Sequence, residues 1–200
     1  WNRETINYKT MKLRTILAGL IALAGAHIAS AQYSTKVISY LEGINKNAPH
    51  VKNIVLDDSI FIMRKEYFDR AKEAGFNKFT ELAIHFQKII KTCENMRSDI
   101  NVFFILHSEP VMSDNTIQTY KVSTVGKLLD QQYNPVEVVP MVLYSAIQYK
   151  DNKPVYGFYT HAVMDKGAII PSKTPEGMFE EDFIPNDLGF VVKTMDEYYG

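Results

Sequence analysis

Residues 51–58 read VKNIVLDD. Val51 to Leu56 is a short run rich in β-branched residues, and it ends in two carboxylates, Asp57 and Asp58. A second run, VFFIL at Val102–Leu106, is wholly apolar and leads into His107-Ser108-Glu109. Runs with no polar alternation suit strands covered on both faces, as in a parallel sheet flanked by helices. The stretch between them has helical spacing. Phe61 to Ala74 is helical and is stopped by Gly75. Asn77 is placed to cap a longer helix whose stripe is Phe79, Leu82, Ala83, Phe86, Ile89, Ile90 and Cys93. Strand, helix, helix, strand is the crossover order of an α/β fold.

Working outward, residues 34–47 predict a helix. Val37, Ile38, Leu41 and Ile44 lie on one face, Ser34 is a candidate cap and Pro49 follows the end. Met112 to Asp130 reads as polar, then weakly helical. Met141–Tyr149 and Val155–His161 predict a hairpin turning around Asp151-Asn152. Lys166 to Asp182 reads as loop. Pro185 to Tyr199 predicts a closing helix with Asn186 as cap and Leu188, Val191, Val192 and Met195 as its stripe.

The 200 residues are 46% hydrophobic and 22% charged, the composition of one ordinary globular domain. A net charge of −1 excludes a bulk cationic magnet for nucleic acid. The lone cysteine, Cys93, excludes an internal disulfide and a Cys-rich zinc site, and its place on a helical stripe reads as a small core residue. Residues 1–33 hold Arg3, Lys9, Lys12 and Arg14 against Glu4, a net +3, which leaves −4 on the rest. From Met11 the chain has the layout of a secretory signal: a basic start, an apolar run from Ile16 to Ala26, and Ala29-Ser30-Ala31. Ten residues precede it, which a signal peptide does not expect. An Ala-rich helix or a foreign in-frame segment are the other readings of 11–32. The domain division is therefore 1–32, atypical, and 33–200. The apolar run is shorter than the about 20 residues that span a bilayer, and no membrane contact is expected for 33–200.

Asp57 and Asp58 are the strongest candidates for chemistry. A carboxylate fixed at the end of a buried strand is a Walker-B-like element, able to hold a metal ion on a nucleotide's phosphates. The C-terminal edge of such a sheet is also where ligands bind. The plainer reading is that the two acids cap the helix that follows. His107 and Ser108, at the end of the neighbouring strand, could touch a phosphate or an attacking water; a hydrogen-bonded structural histidine is the alternative. The spacing of His107, Glu109 and Asp57 fits no metal motif. No G-x-x-x-x-G-K-[ST], G-x-S-x-G, H-E-x-x-H or G-x-G-x-x-G occurs.

Residues 33–200 resemble the bacteriophage ATP-binding proteins of the AAA/RecA-like P-loop class. The resemblance rests on segments in order: Asn53–Asp58, Gly75–Glu81, Phe103–Glu109, Thr124–Asp130, the Val142–His161 hairpin, Glu176–Phe179 and Ile184–Leu188. It implies a partial RecA-like P-loop core, a mostly parallel sheet flanked by helices, with a C-terminal β-hairpin and helix. Trp1–Thr5 resembles the stretch that follows the P-loop, so the chain is expected to be a fragment starting past Walker A. The resemblance makes Asp57 the Walker B acid and metal ligand, Asp58 its neighbour, and His107 and Ser108 the sensor position. Lys127 would reach a neighbouring subunit's nucleotide as an arginine finger does, where the plainer reading is a solvated lysine. ATP and Mg²⁺ are the implied cofactors, with weak or no binding, and no activity, expected of this chain without its P-loop. The implied partners are DNA, phage recombination or replication proteins, and further copies of the chain, in the host cytoplasm. The alternative is an exported, non-enzymatic binding protein that uses 11–32 as its signal.

Overall fold

The computed structural model describes residues 32–126, 128–129 and 133–200. The first half begins with helix α1 (Gln32–Asn47), then strand β1 (Asn53–Leu56), helices α2 (Ile60–Asp69) and α3 (Asn77–Glu94), and strand β2 (Asn101–Phe104). β1 and β2 pair in parallel, Asn53 with Asn101 through Leu56 with Phe104. The α3 stripe buries Leu82, Ala83, Phe86, Ile89 and Ile90 against Leu41 of α1, Ile54 of β1, and Ile60 and Met63 of α2. At about 25 cal/mol per Å² of apolar surface, this burial holds the three helices on the two strands. Arg97 closes the far end of the layer. Its guanidinium donates to the carbonyls of Ile44 (3.2 Å), Asn45 (3.1 Å) and Ala48 (2.9 Å) around the C-terminus of α1, and to Val51.

β2 faces two ways. Val102 and Phe104 pack on the helical core, while Phe103 packs on a second cluster of Met178, Phe179, Ile184 and Val191. This two-sided contact explains why VFFIL carries no polar alternation. The second cluster belongs to strands β3 (Ser108–Ser113) to β9 and helix α5 (Leu188–Tyr199). β3 pairs antiparallel with β4 (Thr116–Val122). A short helix α4 (Pro135–Val138) precedes the β5 (Tyr144–Lys150) and β6 (Lys153–Tyr159) hairpin, joined by β9 (Phe183–Pro185). β7 (Val163–Asp165) and β8 (Ala168–Ile170) pair with each other, and β8 meets β4 through one parallel bridge, Thr119 with Ile169.

The fold is therefore α/β with mixed sheets, and the expectation of a mostly parallel sheet needs correction. Among the described residues regular parallel pairing is confined to β1 and β2; the other two sheets are built mainly from antiparallel pairs. Their turns give the reason. Asp114-Asn115, Asp151-Asn152 and Lys166-Gly167 all sit at positive φ, between +48° and +83°, as the central pairs of two-residue hairpin loops. That geometry matches the strand twist, and Asp, Asn and Gly tolerate it. The middle pair was expected. The first turns the polar opening of the Met112–Asp130 reading into a hairpin, and the last converts part of the 166–182 loop into strand.

Helix boundaries also shift. α1 starts before Ser34, α2 stops at Asp69 instead of Ala74, and α3 has no side-chain cap from Asn77. α5 is capped by Asp187, not Asn186: its carboxylate accepts from the amides of Gly189 (2.8 Å) and Phe190 (3.4 Å). Apart from Gln32, which opens α1, the 1–32 segment lies outside the described residues, as does Lys127. No helix among the described residues is long and apolar enough to cross a membrane.

Candidate functional site

The tip of β1 carries Asp57 and Asp58 into a tight turn before α2. Buried Ser59 fastens that turn. Its amide donates to Ile105 O (3.0 Å) and its hydroxyl to Leu56 O (2.6 Å). Asp58 reverses the chain at φ +49°, a left-handed conformation that aspartate adopts more readily than most residues. Neither acid caps α2: Ser59 occupies the cap position and no side chain bonds the first-turn amides. The capping reading of the pair therefore fails, and both carboxylates are left for other work.

Asp58 meets His107. The imidazole Nε2 lies 2.8 Å from Asp58 Oδ1, and both side chains are about half exposed. β2 ends at Phe104, so His107 sits three residues past the strand in the connection to β3, and Ser108 opens β3. This corrects the expectation that both residues end the strand. The ladder nonetheless extends over the turn, because Ile105 donates its amide to Leu56 O (3.0 Å). That bond holds the His107 segment beside the Asp57-Asp58 turn. With Nε2 engaged by the carboxylate, Nδ1 is the ring's other hydrogen-bonding atom.

Three residues not singled out in the sequence complete the site. Phe61, in the first turn of α2, meets the His107 ring edge-on at 6.2 Å. Arg64, three residues further along, lies 5.4 Å over the Phe61 ring and donates through Nη2 to Ser123 Oγ (3.3 Å). The Ser123 amide donates in turn to His107 O (2.8 Å). Phe61 and Arg64 share one helix face at i, i+3. That spacing was readable; the approach of Ser123, just past β4, was not.

The chain matches no family model, no curated protein and no solved structure.

Asp57 is exposed and makes no hydrogen bond or ion pair with a described residue. Asp58 commits one oxygen to His107. Glu109 is turned to other use, 3.1 Å from Lys121 across the β3–β4 pair. No group of three or more His, Cys, Asp or Glu side chains among the described residues is placed to enclose a metal ion. Mg²⁺ does not need such a cage. It is held through one or two carboxylates, several waters and the substrate's phosphates, and an exposed, unpaired Asp57 beside Asp58 fits that pattern.

Proposed function

We propose that the β1 tip is the acidic side of a Mg²⁺–ATP hydrolysing centre of the RecA-like P-loop class. Asp57 holds the metal's coordination shell, and Asp58 orients His107 from the adjoining connection. The observation that carries this reading is the pair of acids itself. They stand at the C-terminal end of a parallel strand, they do not cap the following helix, and one of them remains unpaired. Ligands of open α/β sheets bind at that edge.

The bound metal would neutralise charge on the transferring phosphoryl group. The chain's own residues supply the rest. Asp58 fixes the ring of His107, which leaves Nδ1 to accept a proton from, or orient, an attacking water. Ser108 directly follows His107 and opens β3. Arg64, steadied by Phe61 and Ser123, adds a cation beside the pair. The 200 residues hold no G-x-x-x-x-G-K-[ST], so they supply the acidic side of the centre and not a phosphate loop's cradle of amide donors. Through the resemblance, the proposal extends to phage DNA recombination or replication, with copies of the chain assembled on the nucleotide and Lys127 facing a neighbour.

The test is metal-dependent ATP hydrolysis by the whole protein and its Asp57→Asn variant. Asparagine keeps the size of the side chain and removes the charge. Turnover should fall by at least about a hundredfold, because positioning and electrostatics supply nearly all the catalysis in phosphoryl transfer. An Asp57→Asn protein with near-normal turnover contradicts the assignment.

A further inference from the structure

A cleft of about 230 Å³ opens beside this edge, between the β3-β4-β8-β7 sheet and the β5-β6-β9 sheet. Its walls carry Ser108, Tyr120 and Asp165 from one sheet, and Tyr144, Ser145 and Tyr159 from the other. Ser108 directly follows His107, so the cleft adjoins the candidate phosphate edge.

The lining has two properties that point to a ligand. It is rich in polar groups with nothing to bond. Tyr159 accepts from Gln148 Nε2 at 3.3 Å. The side chains of Ser108, Tyr120, Tyr144, Ser145 and Asp165 make no hydrogen bond with a described residue. Ser108 and Ser145 are exposed, whereas Tyr120, Tyr144 and Asp165 are half-buried, and half-buried polar groups that face one space are suited to a polar guest. Burial also pushes the Tyr144 hydroxyl above its ordinary range, so it stays a neutral donor. The second property is charge. Asp165 is the one ionised group in the lining, and no cation accompanies it. Such a wall repels phosphate and accepts from hydroxyl or amino donors. Tyrosine rings on both sides suit a flat ring, which stacks on aromatic faces.

We infer that this cleft takes the nucleoside end of the nucleotide, with the ribose hydroxyls donating to Asp165 and the base lying against the tyrosine rings. The inference rests on the proposed ATP reading, which puts the phosphates at the Asp57-Asp58 tip. The cleft is smaller than the roughly 300–1,000 Å³ of pockets for drug-sized ligands, in keeping with the nucleoside moiety and not the whole nucleotide.

The probe is adenosine, which has no phosphate, titrated into the 200-residue chain and followed by NMR. Saturable shifts are expected at Tyr120, Tyr144 and Asp165. 2′,3′-Dideoxyadenosine, which lacks both hydroxyls, should bind at least about tenfold more weakly, as loss of hydrogen bonds to a charged group predicts. Asp165→Asn should weaken adenosine by a similar factor and leave the dideoxy compound unchanged. Tyr144→Phe, which removes only a hydroxyl, provides a second variant that preserves packing, and it should weaken adenosine severalfold. Asp58→Asn should leave adenosine binding intact. No saturable binding of adenosine overturns the inference. So does equal binding of the dideoxy compound, or equal binding of plain ribose. Failure here with a metal-dependent hydrolysis that still needs Asp57 removes the cleft alone. Adenosine binding in a protein whose hydrolysis ignores Asp57 removes the proposed catalytic edge and keeps the cleft.

Discussion

Replacing Glu66 by alanine should destabilise the protein by about 3 kcal/mol, and the structure sets that figure. Glu66 is a fully buried carboxylate on α2, 1% exposed. It bonds His85 Nδ1 on α3 at 2.8 and 3.0 Å and Arg70 at 3.4 Å. Breaking a buried ion pair costs about 3–5 kcal/mol when the remaining partner is stranded. Arg70 is not stranded. Glu73 and Glu81 hold it at 2.8 and 2.6 Å, and its guanidinium pKa is driven further above the ordinary value by Glu73 first and then by Glu81. Only His85 loses its carboxylate outright, while Arg70 keeps two, so the loss belongs at the low end of the range. Glu66→Gln retains the volume and an acceptor for His85, and should cost about 1 kcal/mol. In urea, with a slope of about 2 kcal/mol per M, these become midpoint drops of about 1.5 M and 0.5 M. Glu66 joins α2 to α3, and α2 carries Ser59, Phe61 and Arg64 to the site, so the same variant should also loosen the Asp58–His107 contact. A Glu66→Ala midpoint within 0.3 M of wild type, by this same reckoning, or one equal to that of Glu66→Gln, would refute the reasoning.

Further outcomes follow from the packing and the caps. Gly157→Ala would press a methyl into the carbonyl of Ile184 and the ring of Phe183, and the carbonyl belongs to a paired strand that cannot yield. A loss of about 2 kcal/mol is expected, read as a melting temperature lower by roughly 4–8 °C. Asp187→Ala removes the α5 cap and should cost about 1 kcal/mol, whereas Asp187→Asn should be nearly neutral by the same thermal melt. Burial pushes the Cys93 thiol from its ordinary value near 9 up to about 12. Below pH 9 the thiol is protonated in folded and unfolded chains alike. Between 9 and 12 only the unfolded chain releases the proton, so Cys93 makes stability fall as pH rises through that window. Iodoacetamide should accordingly modify Cys93 far more slowly in the folded protein than in urea at pH 9.

The helical half of the fold was legible because its signals are local. The Leu82–Ile90 stripe, the two apolar strand runs and Gly75 at φ +84° each follow from the chemistry of a few neighbouring residues. The β3–β4 hairpin was missed although Asp114-Asn115 is as good a two-residue turn as Asp151-Asn152. The flanking segments SEPVMS and TIQTYKV are too polar to stand out as strands. They are stabilised by pairing with each other and with β8, a non-local gain that periodicity does not record. At the site, the sequence singled out Asp58 and His107 separately, and only the fold shows that they touch. Arg64 and Ser123 are 59 residues apart, and no local pattern could have joined them.

The most direct measurement of the central claim is paramagnetic broadening of the protein's NMR spectrum by Mn²⁺–ATP, with Mn²⁺ replacing Mg²⁺. Broadening reports proximity even when binding is weak, so it does not require a complete phosphate cradle. The amide signals of Asp57, Asp58, Ser59 and His107 should broaden first, and Asp57→Asn should abolish the effect at these positions. Broadening centred elsewhere, or an unchanged pattern in Asp57→Asn, would contradict the claim.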